Sequence, residues 1–372
     1  MRYRVRHETI YSYGSDVAHS HQLLHLVPRP SRYQQCLEHS ITISPDTFTR
    51  RDETDAFGNL VTRVEFEIPH RRLDVATEME VEVHAPPAVS PADTLPWEEV
   101  RDSLSYNGEW PAREALEACR FRHESPYVRV KQVFTDYAAD CFPPGRPVLE
   151  CAVALMQKLH SELKYAPGET DIATPLAEVL RTRRGVCQDF AHLMIACLRA
   201  RGLAARYVSG YIRLRPAVPP PPAADHGDSH PLHITQMGTP SPEPQLDWVG
   251  AGASHAWVSV YSPPFGWLEL DPTNNVHVGT DHLAIAWGRD FGDVSPLRGV
   301  ILGGGAHSLS VSVTVEPLVE RDGAPKPSQG QSQSQGQSQG QSQGQSQGQS
   351  QGQSQSQSQG QSQGQSQGQS QT

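Results

Sequence analysis

The sequence predicts an α+β protein: an N-terminal antiparallel β-sandwich, then a helix bundle packed on a second antiparallel sheet, then a disordered tail. Three observations carry this. Apolar and polar residues alternate through most of residues 1–85. Between about 127 and 200, apolar residues recur at three- and four-residue spacing. The last 45 of the 372 residues, from Ser328, contain only Ser, Gln and Gly before the final Thr372.

The elements follow in order. Tyr3 to Tyr13, Leu37 to Ile43, Leu60 to Ile68 and Ala76 to Val83 have the period of two expected of half-buried strands. Ser44-Pro45-Asp46 and Phe57-Gly58-Asn59 are turn signals between them. Ala85-Pro86-Pro87 closes this domain at residue 85, and a linker with a helix spans 86–125. The second domain is expected over 126–317. Tyr127 to Tyr137 and Val148 to Leu163 have helical spacing. A third helix is expected from Cys187 to Ala200, where Phe190, Leu193, Met194 and Cys197 make one stripe. Gly202 follows where a C-terminal cap belongs. Ala205 to Leu214, His255 to Tyr261, Gly266 to Leu270 and His307 to Val315 are strand candidates. Residues 214–253 form a proline-rich insert containing His226, His230 and His233. With no nearby Cys and no helix, these histidines read as part of a polar insert rather than a metal site. The tail, 318–372, offers no apolar residue beyond 328 and cannot join a core there.

Composition excludes several classes. A net charge of −10 opposes nucleic-acid binding, which wants a basic footprint. No stretch approaches the ~20 apolar residues of a membrane span. Met1 to His7 lacks the apolar region of a secretory signal, so a cytoplasmic protein is expected, with no membrane partner. Cys36, Cys119, Cys141, Cys151, Cys187 and Cys197 form no C-x-x-C pair. They suit a reduced set, not a disulfide framework or a zinc site. No acidic loop has a calcium-binding pattern. No cofactor and no metal is expected, and nothing in the sequence signals an oligomeric state.

Chemistry concentrates in three segments. In Arg184-Gly185-Val186-Cys187-Gln188-Asp189-Phe190-Ala191-His192, a cysteine opens an amphipathic helix. Free N–H groups and the helix dipole favour an anion there, the setting of a thiolate nucleophile. The same groups suit the oxyanion of an attacked carbonyl. A buried structural Cys is the equal alternative on this segment alone. The other two segments are Ala253 to Tyr261 and Gly266 to Thr273, joined by the short turn Ser262-Pro263-Pro264-Phe265. A hairpin centred near residue 264 places His255 opposite a residue near 273. Asp271 is then one diagonal step away on the same face. A His beside an ionised Asp is the base–orienter pair of a Cys-His-Asp triad.

These residues resemble the transglutaminase-like superfamily, in its bacterial form with an N-terminal β domain. The resemblance rests on Gly185 to His192, Ala205 to Tyr211, Ser254-His255-Ala256-Trp257, Asp271-Pro272-Thr273-Asn274 and Gly288-Arg289-Asp290 through Arg298-Gly299-Val300. It implies a papain-like core with Cys187 as nucleophile, His255 as base and acid, and Asp271 as orienting group. The implied chemistry is acyl transfer through a thioester on a peptide or protein substrate. Hydrolysis is the first reading, crosslinking of glutamine to amines the second, and a silent peptide-binding module the third. Tyr165 is a candidate second oxyanion donor or equally a core aromatic, and Gln188 and Trp257 are cleft candidates; Trp257 either shields the His255–Asp271 bond from water or packs on the hairpin. Asp189 and His192 either line the cleft or face solvent, and His192 is expected at the solvent face. Arg183 and Arg184 either attract a carboxylate or are simply solvated.

Overall fold

The computed structural model describes residues 1–105, 113–213 and 253–318. Almost all of the proline-rich insert, with its three histidines, and the Ser/Gln/Gly tail lie outside the described residues. Five strands come first: β1 (Arg2–Leu24), β2 (Gln34–Ser44), β3 (Thr49–Thr54), β4 (Leu60–Phe66) and β5 (His70–Val83). The middle contributes α1 (Trp97–Ser103), α2 (Arg113–Cys119), α3 (Gln132–Tyr137), α4 (Val148–Glu162), β6 (Lys164–Tyr165), α5 (Leu176–Thr182), β7 (Arg184–Gly185) and α6 (Cys187–Ala200). Then follow β8 (Ala205–Ile212), β9 (His255–Ser262), β10 (Gly266–Asp271), β11 (Val276–His277), β12 (His282–Gly288), α7 (Phe291–Val294), β13 (Leu297–Gly303) and β14 (His307–Leu318).

The first sheet is built around β1, which alternates buried and exposed positions over much of its length. Its first half pairs with β5, whose far edge takes β2; its second half pairs with β4, whose far edge takes β3. The register slips between Ser12 and Val17, where the strand turns from one layer into the other. Tyr13, Val17 and Leu24 of β1, Ile43 of β2, Val64 and Phe66 of β4, and Leu73 and Val75 of β5 close on one core. The strand expected at His307 to Val315 forms, but it lies beside β1 rather than in the second domain. β14 covers Arg2 to Tyr13 and β13 covers Val17 to Leu24, so strands from after the second sheet complete the first one.

The second sheet has the order β11-β10-β9-β8-β12, with antiparallel neighbours. β8 and β9 are buried at every residue, including the polar Arg206, Ser209, His255, Ser259 and Ser262. α6 packs on this sheet and is itself buried from Asp189 to Arg199. On the open edge of β12, side chains replace a neighbouring strand. Gln34 accepts from Ala284 N at 2.8 Å and donates to its carbonyl at 2.7 Å. Asn59 does the same for Trp287, at 3.0 and 2.9 Å. These bonds dock the first sheet on the second and leave no open ladder at those residues. Among the described residues, no helix is long and apolar enough to cross a membrane.

One helix is shorter than its spacing predicts. Residues 127–131 are not helical. Tyr127 N instead donates to Asp290 Oδ2 at 2.9 Å, and Val130 N to Glu124 Oε1 at 2.7 Å. Ser125 and Val128 exchange backbone hydrogen bonds, and the chain stays extended to Lys131, whose ψ is 151°, so the helix starts only at Gln132.

Candidate active site

The approach to Cys187 is fixed by a two-residue parallel pairing. Tyr165 on β6 lies opposite Gly185 on β7, and Ala166 N donates to Gly185 O at 2.9 Å. Asp189 then caps α6 from within, its Oδ2 accepting from Val186 N at 2.8 Å and from Thr170 Oγ1 at 2.6 Å. The carboxylate folds over Gly185, where a Cβ would sit 2.7 Å from Asp189 Oδ2. That close approach is why a glycine stands two residues before the cysteine. Cys187 is half-buried at the first position of α6. Asp189 is therefore not a solvated residue; it is buried and borders, beside Gln188 and His192, a cavity of about 280 Å³. Burial, with Asp171 nearby, raises its pKa, and the two hydrogen bonds hold it back.

The hairpin has the predicted register. Gly266 pairs with Ser262 and Leu270 with Val258, so the turn centres on 264. His255 Nε2 lies 2.8 Å from Asp271 Oδ2, and both side chains are fully buried. Burial alone would lower the pKa of His255. The charge and hydrogen bond of Asp271, and Cys187 beyond it, outweigh that and raise it to about 10. Burial alone would raise Asp271, but His255 and His282 hold it well below the usual carboxylate range. The pair is therefore an imidazolium and a carboxylate. With Nε2 engaged by Asp271, the buried Nδ1 is the ring atom left for Cys187, whose side chain is among the groups that raise His255.

Asp271 is held by more than His255. Its Oδ1 accepts from the N–H groups of Thr273 and Asn274 at 2.9 and 3.2 Å. Its Oδ2 also accepts from Asn274 Nδ2 at 2.8 Å and from His282 Nε2 at 3.2 Å. Sequence reasoning missed His282, Asn274 as a side-chain donor, and Tyr207. Asp271-Pro272-Thr273-Asn274 was a visible signal for Asn274. His282 carried none, because β12 was not foreseen. Trp257 is fully buried; it donates from Nε1 to Glu269 Oε2 at 2.8 Å and meets His282 edge-on at 5.2 Å. Its ring lies 6.2 Å from that of His255, beside the histidine–aspartate pair.

Tyr165 is half-buried, and burial plus proximity to Cys187 push its pKa up to about 12. Tyr207, on β8, is raised further by burial, with Cys187, Asp189 and Asp290 adding to it. Both hydroxyls thus remain protonated donors near the thiol. Gln188 lines a cavity of about 280 Å³ with Tyr127, Lys131, Ile172 and His192. His192 corrects the solvent-face expectation. It is buried, stacked on Tyr127, and its Nε2 accepts from Phe291 N at 3.1 Å. Burial lowers its pKa to about 3. The stripe rule failed because α6 is covered on all sides. Arg183 and Arg184 are already paired, with Glu162 at 2.8 Å and with Glu169.

His255, Asp271 and His282 are also the described group whose ligand atoms all lie within 4.8 Å, a donor set that suits zinc. N–H donors take both oxygens of Asp271, so the arrangement reads as a hydrogen-bonded relay.

Comparison with known proteins decides the family. Residues 3–82 match the bacterial transglutaminase-like N-terminal region, and residues 135–272 match the transglutaminase-like superfamily. The chain belongs to the transglutaminase-like superfamily. It is 37% identical over 325 residues to an uncharacterised protein of Mycobacterium tuberculosis, covering 85% of this chain and 93% of that one. A protein-glutamine gamma-glutamyltransferase of Pseudomonas aeruginosa is 33% identical over 95 residues, 26% of this chain and 11% of that protein. In fold, the chain resembles the crystal structure of a candidate cysteine protease from Cytophaga hutchinsonii. That likeness has a TM-score of 0.59 at 19% identity and covers 85% of this chain and 90% of the other. Membership of this superfamily supports cysteine-based catalysis.

Proposed function

We propose that this protein hydrolyses amide or peptide bonds through Cys187, His255 and Asp271. The observation that carries the reading is the buried ion pair, His255 Nε2 to Asp271 Oδ2 at 2.8 Å, with Cys187 acting on the same imidazole. Asp271 fixes the ring so that Nδ1 serves the sulfur.

In this mechanism the Cys187 thiolate attacks the substrate carbonyl carbon and a C–S bond forms. The oxygen becomes an oxyanion, held by the Cys187 N–H at the start of α6 and by a tyrosine hydroxyl, with Tyr165 the first candidate. His255 Nδ1–H then protonates the leaving nitrogen as the C–N bond breaks, leaving a thioester and a neutral imidazole. Water attacks the thioester and gives its proton to His255. The C–S bond breaks, and the acid leaves with the ion pair restored. An amine in place of water would complete glutamine crosslinking. The 95-residue likeness to a glutamine gamma-glutamyltransferase favours testing that outcome.

The test uses wild-type and Cys187→Ala protein with casein and a glutamine-containing peptide, with and without a labelled primary amine, read by mass spectrometry. Cleavage or deamidation that vanishes in the variant supports hydrolysis. Amine incorporation that vanishes in the variant replaces hydrolysis with crosslinking. Turnover that survives in Cys187→Ala contradicts both.

A further inference from the structure

His282 shares an oxygen with the proposed catalytic histidine. Asp271 Oδ2 accepts from His255 Nε2 at 2.8 Å and from His282 Nε2 at 3.2 Å. The carboxylate does not need His282 to stay in place. The Thr273 and Asn274 N–H groups hold Oδ1, and the Asn274 side chain holds Oδ2. What His282 adds is a second imidazole N–H on the oxygen that holds His255.

The fold makes room for this contact. β12 is separated from β9 by β8, and the β8 residue opposite His255 is Gly210. A Cβ there would lie 2.1 Å from Leu283 O and 2.5 Å from the Trp257 ring. Trp257 occupies the space and supports His282 edge-on, which brings the two histidine rings to 6.4 Å between centroids. His282 is fully buried, so the contact is insulated from water.

We propose that His282 is a positioning residue that shares Asp271 Oδ2 with His255, so that the carboxylate does not commit wholly to the catalytic imidazole. The inference rests on the acid–base role given to His255 above. An acid must release its proton to the leaving amine, and a buried carboxylate serving one imidazole alone would hold that proton too firmly. His255 already lies on the high side, at about 10, because Asp271 and Cys187 outweigh its burial. A donor competing for Oδ2 draws it back toward working pH. The other polar or charged groups facing this cluster come from α6 (Cys187), α4 (His160, on Thr273 O), and β10 (Glu269, behind Trp257). Asp281, beside His282, faces the Tyr3 hydroxyl and Arg213.

The test follows the ring signals of 13C-histidine-labelled full-length protein against pH by NMR, with His255 assigned from its loss in His255→Ala. His282→Phe keeps an aromatic ring against Trp257 but removes the N–H. Its His255 midpoint should rise by about half a pH unit, the size of one shared hydrogen bond. His282→Gln, which retains an N–H donor, should return most of the way to wild type. Should the Phe variant not fold, His282→Leu makes the same deletion. A midpoint that stays or falls in both deletion variants, with Gln indistinguishable from them, makes His282 a packing residue only and overturns the inference. A wild-type midpoint that does not respond to Asp271→Asn overturns the histidine–aspartate pair itself, and the proposed function with it.

Discussion

Histidines carry opposite charge states in this molecule, and burial and partners decide which. His255 is buried against a carboxylate and is held charged. His192 is buried against a backbone N–H and aromatic rings, and is held neutral at about 3. His7, bonded to the Tyr211 hydroxyl and Thr9, is held neutral at about 4. The two classes have opposite effects on stability. His192 and His7 bind a proton in the unfolded chain below about pH 6.5 but not in the folded one, so stability falls as pH drops from there toward 4 and then 3. His255 has a raised folded value, so its contribution is complete below about 6.5 and is lost as pH rises through about 10. His192→Gln keeps an acceptor for Phe291 N without a titrating ring. Urea unfolding at pH 7 and 4.5 should therefore show a smaller acid loss in this variant, by on the order of a few kcal/mol. Equal losses would contradict the assignment. His255 and Asp271 were legible because a hairpin's register follows from its turn. His192 was misread because spacing gives a helix's apolar stripe, not whether its other faces are also covered.

At the scale of elements, α6 does two jobs, presenting Cys187 and filling the core. Its limits, Cys187 and Ala200, were legible from the apolar stripe and from Gly202, whose φ is 78°, while the Asp189 cap at the other end was not. The Asp189 cap sets the first turn through Val186 N and Thr170. Asp189→Ala should cost about 1–2 kcal/mol and should also reduce Cys187 reactivity, because the turn that presents the sulfur loses its brace. Thermal unfolding with thiol labelling checks this, and a stability loss with unchanged reactivity would detach the cap from the site. α3 was overestimated because residues 125–131 are spent on a Ser125–Val128 backbone pairing and an extended approach, which apolar spacing does not reveal. β12 was missed because its edge is satisfied by Gln34 and Asn59, from distant parts of the chain.

The whole molecule is tied together by β13 and β14. Alternation in the sequence revealed β14 as a strand but not its partner, since the period of two says which face is buried and nothing of the neighbour. The partner is the first half of β1, and β13 takes the second half, so the N-terminal sheet is not complete within its own 85 residues. Ending the chain after Ser295 should leave β1 with an unpaired edge along its length and yield insoluble or loosely folded protein. Deleting Ser328–Thr372, which holds no apolar side chain, should leave the melting temperature unchanged. Circular dichroism melts of the two truncations decide it, and a cooperative wild-type melt from the shorter chain would refute the role given to β13 and β14.

The proposed catalysis depends most on Cys187 and His255 forming an ion pair. Iodoacetamide labelling of the Cys187 peptide at pH 6, followed by mass spectrometry in wild-type and His255→Ala protein, tests this directly. The ion pair predicts fast alkylation of Cys187 in the wild type that falls at least about tenfold without His255, while Cys141, Cys151 and Cys197, all buried, stay unlabelled in both. Equal, slow labelling of Cys187 in the two proteins would mean that His255 does not activate the thiol, and the proposed catalysis would fail.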